Sequence, residues 1–326
     1  MKIKRIAWVL ALSLSIPTVG LPQHQEGQPS QQQDETIKLG TDLVTLTATV
    51  FDPKGKYVAN LKKEDFIVFE DGARQEISFF TSDERIPVSI GLIFDTSGSM
   101  IDKLDGVQDA VKHFIETTKP ADEIFIIRFS NDVEVVSDFT DQKQRLRKTI
   151  DNLEANGSTA LYDAFFEGLQ KVKQGKHKKK AIVLITDGND TASDISQREV
   201  QELSRRSEVL IYCLGIGHGE RGSFGHIFGR DKDAVDINVL RSFSDATGGR
   251  SYLLEGEHHA GGIDRIDQAV LEISSELRQQ YSLGYYPGNR KKDGSYRNIK
   301  VRMAKPGYTV RTRKGYWAAQ ERGDRL

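Results

Sequence analysis

At 326 residues the chain is long enough for about two ordinary domains. Its formal net charge of -1 excludes a global pull toward nucleic acid or an anionic membrane, and 37% hydrophobic against 29% charged residues predicts a soluble, folded protein. The one cysteine, Cys213, excludes an intrachain disulfide; it sits in the apolar run Val209-Leu210-Ile211-Tyr212-Cys213-Leu214 and reads as a buried strand residue rather than a reactive thiol.

Residues 1–20 carry Lys2, Lys4 and Arg5, then an apolar run over 6–16, then Thr18 and Gly20, which is the layout of a secretory signal peptide. The run covers 11 residues, short of the roughly 20 that a membrane-spanning helix needs. No cysteine lies near the predicted cut to carry a lipid, so no stable membrane anchor is expected and the mature chain is predicted to be secreted or periplasmic. Residues 21–36, rich in Gln and Pro, cannot bury enough surface to offset their ordering entropy and read as a flexible linker.

From 37 to 85 the pattern is β. Val44, Leu46, Ala48 and Val50 alternate with Thr45, Thr47 and Thr49, as in a strand buried on one face. A turn at Asp52-Pro53-Lys54-Gly55 follows, and the apolar runs 66–69 and 76–80 flank Asp71-Gly72 as a predicted hairpin. From 86 to 279 buried strands alternate with amphipathic helices. Strands are predicted at 88–94, 124–129, 181–186 and 208–214, with an antiparallel edge strand at 133–136. Helical spacing runs through Leu104, Val107, Val111, Phe114 and Ile115, then Leu161, Ala164, Phe165, Leu169 and Val172, then Ile263, Ile266, Val270, Ile273 and Leu277. Near-continuous apolar strands between helices imply an α/β fold, a doubly wound, mainly parallel sheet covered on both faces. From 280 to 318 the chain returns to β, with Tyr281, Leu283 and Tyr285 alternating and then Ile299, Val301 and Met303; 319–326 is a tail. Each β segment is short for a core of its own, so the two are expected to pair into one small β-sandwich with the α/β domain inserted between them.

The chemistry is concentrated in three loops. Phe94-Asp95-Thr96-Ser97-Gly98-Ser99-Met100 ends the first α/β strand, where open α/β sheets bind ligands. It offers one carboxylate and two hydroxyls. Gly157-Ser158-Thr159 adds a hydroxyl ahead of the next helix, and Ile185-Thr186-Asp187-Gly188 ends another strand with a second carboxylate. Oxygen donors alone suit a hard cation, Mg²⁺ first, then Mn²⁺ or Ca²⁺.

The order Asp95-x-Ser97-x-Ser99, then Thr159, then Asp187-Gly188 resembles the metal-ion-dependent adhesion site of the von Willebrand factor A family, over roughly residues 88–275. Leu61-x-x-Glu64-Asp65-Phe66 and Glu70-Asp71-Gly72 look like a bacterial subgroup related to that family. The resemblance implies a von Willebrand factor A-like, Rossmann-like fold, with Ser97, Ser99 and Thr159 touching the metal and Asp95 and Asp187 acting mainly through bound waters. It also implies that an Asp or Glu carboxylate of a partner protein completes the coordination. With few protein carboxylates on it, such an ion keeps a strong positive charge for the partner.

Other signals are weaker. Gly217-x-Gly219-x-x-Gly222 matches a dinucleotide fingerprint by letter, but 223–236 lacks the helical periodicity that fingerprint needs, and 215–236 reads as a variable surface loop. Ser97 and Ser99 have no G-x-S-x-G elbow, and His113 falls mid-helix, so serine hydrolysis is not supported. His258-His259 lacks further ligands at zinc spacing. Residues 288–316 hold ten Lys or Arg against Asp293, but Lys300 and Arg302 alternate with apolar neighbours as the solvated face of a strand, and no nucleic-acid partner is expected. The sequence therefore predicts an exported, non-enzymatic adhesion or scaffold protein that grips a partner carboxylate through Mg²⁺. A structural envelope component with a vestigial metal site, and a metal-assisted hydrolase, are the alternatives.

Overall fold

The computed structural model describes residues 43–82, 86–187, 190–219, 234–254 and 261–320. The predicted signal segment, the linker, Gly188, Gly222, His258 and His259 lie outside the described residues. Strand β1 (Val44–Phe51) buries Val44, Leu46, Ala48 and Val50 as its alternation requires, while β2 (Phe66–Glu70), β3 (Ala73–Gln75) and β4 (Ile77–Thr81) follow. The expected hairpin forms differently. Asp71 and Gly72 both take positive φ, 47° and 85°, as a two-residue type I′ turn demands, but the strand that returns along β2 is β3. The run predicted as its partner, now β4, pairs instead in the other sheet, with Ile77 buried in the core that the two sheets share.

The α/β layer comprises β5 (Val88–Asp95), α1 (Leu104–Thr117), β6 (Glu123–Phe129), β7 (Val133–Thr140), α2 (Lys143–Asp151), α3 (Leu161–Lys171), β8 (Lys179–Thr186), α4 (Gln197–Arg206) and β9 (Leu210–Ile216). It continues through the short β10 (His218–Gly219) and β11 (Ala234–Val235), α5 (Ile237–Ser244), β12 (Arg250–Leu254) and α6 (Gly261–Arg278). The sheet order is β12-β9-β8-β5-β6-β7, parallel throughout except for β7 at the edge. Every residue of β5 is buried, since helices cover both faces. One face packs Val107, Val111, Phe114, Val270 and Ile273 of α1 and α6; the other packs Leu161, Phe165, Val200, Leu240 and Phe243 of α3, α4 and α5.

Helices α2, α4 and α5 and strand β12 were not foreseen, nor were the short β10 and β11, which pair in parallel at the two ends of the stretch read as a surface loop. Helix α2 buries only Leu146 and Ile150, and α4 only Val200 and Ser204, too few apolar positions for a periodic signal. Helix α4 did carry a local one. Ser196 accepts from the Glu199 amide while the Glu199 side chain accepts from the Ser196 amide, a capping box written as Ser-x-x-Glu.

Strands β13 (Tyr281–Tyr285), β14 (Tyr296–Met303), β15 (Thr309–Arg311) and β16 (Gly315–Trp317) complete two antiparallel sheets, ordered β15-β1-β13-β4 and β16-β14-β2-β3. The N- and C-terminal β segments thus pair with each other across the intervening α/β layer, Leu46 opposite Leu283 and Val68 opposite Val301. Their core holds Leu46, Val68, Tyr281, Leu283 and Tyr285. Lys300 and Arg302 are exposed on β14, the solvated face that their alternation implied.

Cys213 is fully buried in β9, and that burial pushes its thiol up to about 12. The thiolate needed for reaction is therefore suppressed. Iodoacetamide at pH 8 is expected to leave the folded protein unmodified and to alkylate one thiol once denaturant is added; rapid labelling of the native chain would contradict this placement.

Candidate metal centre

The doubly wound sheet decides where a site can open. The chain leaves β5 toward α1 on one face and leaves adjacent β8 toward α4 on the other, so the loops beyond these two strands diverge and leave a crevice at their carboxyl ends. Phe94 pairs with Ile185 in the parallel register, which carries Asp95 and Asp187 to the mouth of that crevice from neighbouring strands.

Asp95, Ser97, Ser99 and Asp187 form one connected cluster. The Asp95 carboxylate accepts from the Ser97 amide at 2.9 Å and from the Thr186 hydroxyl at 2.6 Å. The Ser97 and Ser99 hydroxyls stand 3.1 Å apart, and Ser99 donates to Asp187 Oδ1 at 2.8 Å. Asp187 Oδ2 is held by the Lys103 ammonium.

Thr159 itself makes no hydrogen bond to these four residues; its loop adjoins them. The loop that carries it is stitched to the β5 loop by Asn156 N–H to Thr96 O at 2.8 Å and Gly98 N–H to Gly157 O at 2.9 Å. On its other side the Thr159 amide donates to the Thr191 hydroxyl at 3.0 Å, and its carbonyl accepts from the Thr191 and Ala192 amides. Gly157 is needed here twice over: its φ is +82°, and a Cβ would sit 2.9 Å from the Asn131 side chain, whose Oδ1 accepts the Ser158 amide.

Asp95, Ser97, Thr159 and Asp187 are buried, whereas Ser99 is exposed, so the hydrogen-bonded cluster reaches solvent at Ser99. Burial pushes the Asp95 carboxyl up to about 6 against the opposing hydrogen bonds from Ser97 and Thr186. Two carboxylates and three hydroxyls are what a hard dication takes and what a thiophilic metal does not. Among the described residues no group of three or more His, Cys, Asp or Glu side chains is placed to hold a metal, so any cation here depends on the hydroxyls as well as the acid pair.

Lys103, Thr186, Thr191 and Asn131 were missed by the sequence reading. Thr186 had a signal, since it precedes Asp187 at the strand end; Lys103 had only its distance of four residues from Ser99, one helical turn along the chain. His113 pairs with Asp267 of α6 at 3.5 Å, which places it on the contact between helices.

Residues 90–189 match the family model of the von Willebrand factor type A domain. The chain carries a von Willebrand factor type A domain. An uncharacterized protein of Borreliella burgdorferi is 26% identical over 180 residues, 50% of this chain and 52% of that one. Inter-alpha-trypsin inhibitor heavy chain H3 of Bos taurus is 24% identical over 51% of this chain and 22% of its own length. The chain therefore spans about half, or less, of these relatives. Among solved structures, a von Willebrand factor type A protein of Catenulispora acidiphila superposes with a TM-score of 0.49 at 13% identity, over 87% of this chain and 76% of that one. No helix among the described residues is long and apolar enough to cross a membrane.

Proposed function

We propose that the chain is an exported adhesion or scaffold protein that binds a divalent cation, Mg²⁺ first, through Asp95, Ser97, Ser99, Thr159 and Asp187, and uses it to grip an Asp or Glu carboxylate of a partner protein. The observation that carries this reading is the meeting of three loops, far apart in the chain, in one oxygen-lined cluster at the switch point of the sheet. Bound there, the cation would supply a positive charge that protein carboxylates only partly neutralise, and so an attraction for an incoming acid. The protein's own contribution is order. Asp95 is locked by Ser97 and Thr186, the Thr159 loop by four backbone bonds, and Ser99 faces solvent. Export rests on the basic and apolar layout of residues 1–20.

One observation favours a second reading, a structural component whose site no longer takes metal: a protein cation, Lys103, already sits on Asp187. Affinity capture on the immobilised chain from the exported proteins of its native cell separates the two. The first reading expects a partner retained in Mg²⁺, released by EDTA and absent from the Asp95→Ala column. Retention that survives both chelation and the substitution supports the second and ends the first.

A further inference from the structure

Both carboxylate oxygens of Asp187 are engaged. Its side chain is fully buried; Oδ1 accepts from Ser99 at 2.8 Å, and Oδ2 is paired with the Lys103 ammonium, a side chain 25% exposed. Lys103 lies just before α1, and its own backbone amide is fixed to the Met100 carbonyl at 2.9 Å, so the short turn after Ser99 delivers the ammonium to the cluster. The cation is thus tethered by the same loop that supplies two of the three hydroxyls.

We propose that Lys103 is the specificity-determining residue of this site, a tethered monovalent cation that shares Asp187 with the bound ion, lowers its affinity and excludes free Na⁺ and K⁺. This rests on the metal-binding reading of the cluster. A free monovalent ion brings the same charge as the ammonium but must also surrender its translational freedom, which the tethered group has largely lost already, so it cannot compete. A dication brings twice the charge and can. Its gain is diminished by the ammonium that stays nearby: even in the screening of bulk water, a single and a double charge a few ångströms apart repel enough to shift a binding constant about tenfold.

The test is Lys103→Gln in the whole chain, read by calorimetric Mg²⁺ titration at low and at high KCl, with melting temperature in EDTA alongside. Gln keeps a polar, flexible side chain and removes the charge. The variant is expected to bind Mg²⁺ about tenfold more tightly than wild type at low KCl, and to lose more of that affinity than wild type when KCl is raised. In EDTA it is expected to melt lower, because buried Asp187 has lost its counter-charge. A lysine that only propped the loop would lower the melting temperature and leave the Mg²⁺ affinity unchanged or weaker. That result, with wild type binding normally, overturns this inference and leaves the metal reading standing. Binding by the variant alone overturns the inference and the metal reading of the native chain together, since the lysine then displaces the ion instead of sharing Asp187 with it. Binding by neither protein overturns both.

Discussion

Asp95→Ala is expected to abolish the stabilisation that Mg²⁺ gives the wild-type chain. A cation that binds only the folded state adds RT ln(1 + [L]/Kd), about 2.7 kcal/mol at a hundredfold excess over Kd, so the wild-type melting temperature should climb through a Mg²⁺ titration. In the variant it should stay flat. The substitution has a second, separable cost. Asp95 is buried and accepts from the Ser97 amide and the Thr186 hydroxyl, and deleting it removes that acceptor from both, at about 1–3 kcal/mol. Melting in EDTA isolates that loss, and the difference between EDTA and Mg²⁺ isolates the cation. A variant that still gains stability from Mg²⁺ as wild type does would remove Asp95 from the site.

The second large effect lies where α6 meets β1, β9 and β15. Glu276 of α6 is fully buried; it accepts from Tyr212 at 2.9 Å, from Thr49 at 3.2 Å and from Tyr57 at 3.4 Å, and it pairs with Arg311. One carboxylate thereby holds the C-terminal helix of the α/β layer to a strand from each end of the chain. Glu276→Ala would leave Arg311 without its counter-charge and the Tyr212 and Thr49 hydroxyls without this acceptor, and is expected to destabilise the fold by about 3–5 kcal/mol. Glu276→Gln, which keeps the shape and part of the hydrogen bonding, should cost less. Urea unfolding of both variants checks the order; near-wild-type stability of Glu276→Ala would mean that apolar packing alone holds this junction.

The same two places show what the sequence made legible. Pattern found β5 and β8 as continuous apolar runs buried on both faces, and α1, α3 and α6 because each presents an apolar stripe to one side of the sheet. The acids and hydroxyls of the cluster were legible because they close those strands or open the next helix. Helices α2 and α4 were not, since each buries so few side chains that polarity dominates its letters, and α5, though half apolar, is only eight residues long, about two turns of pattern. Glu276 was hidden for a related reason. Between Ile273 and Leu277 it looks like the polar side of an amphipathic helix, and only the return of Thr49 and Arg311 to the same spot makes it a buried pin. Long-range pairing also decided the hairpin: Asp71-Gly72 marked the turn, but the path of β4 depended on β13, more than two hundred residues later. Lys103 belongs with these, since nothing in its neighbours' letters places its ammonium on Asp187.

Soaking crystals in Mn²⁺ and computing the anomalous difference map at the manganese edge examines the three-loop cluster without needing a partner. A peak enclosed by Ser97, Ser99 and Thr159, with Asp95 and Asp187 around it, is the result expected. A map with no peak there at saturating Mn²⁺, or with manganese bound elsewhere on the chain, would contradict the metal-dependent account of this protein.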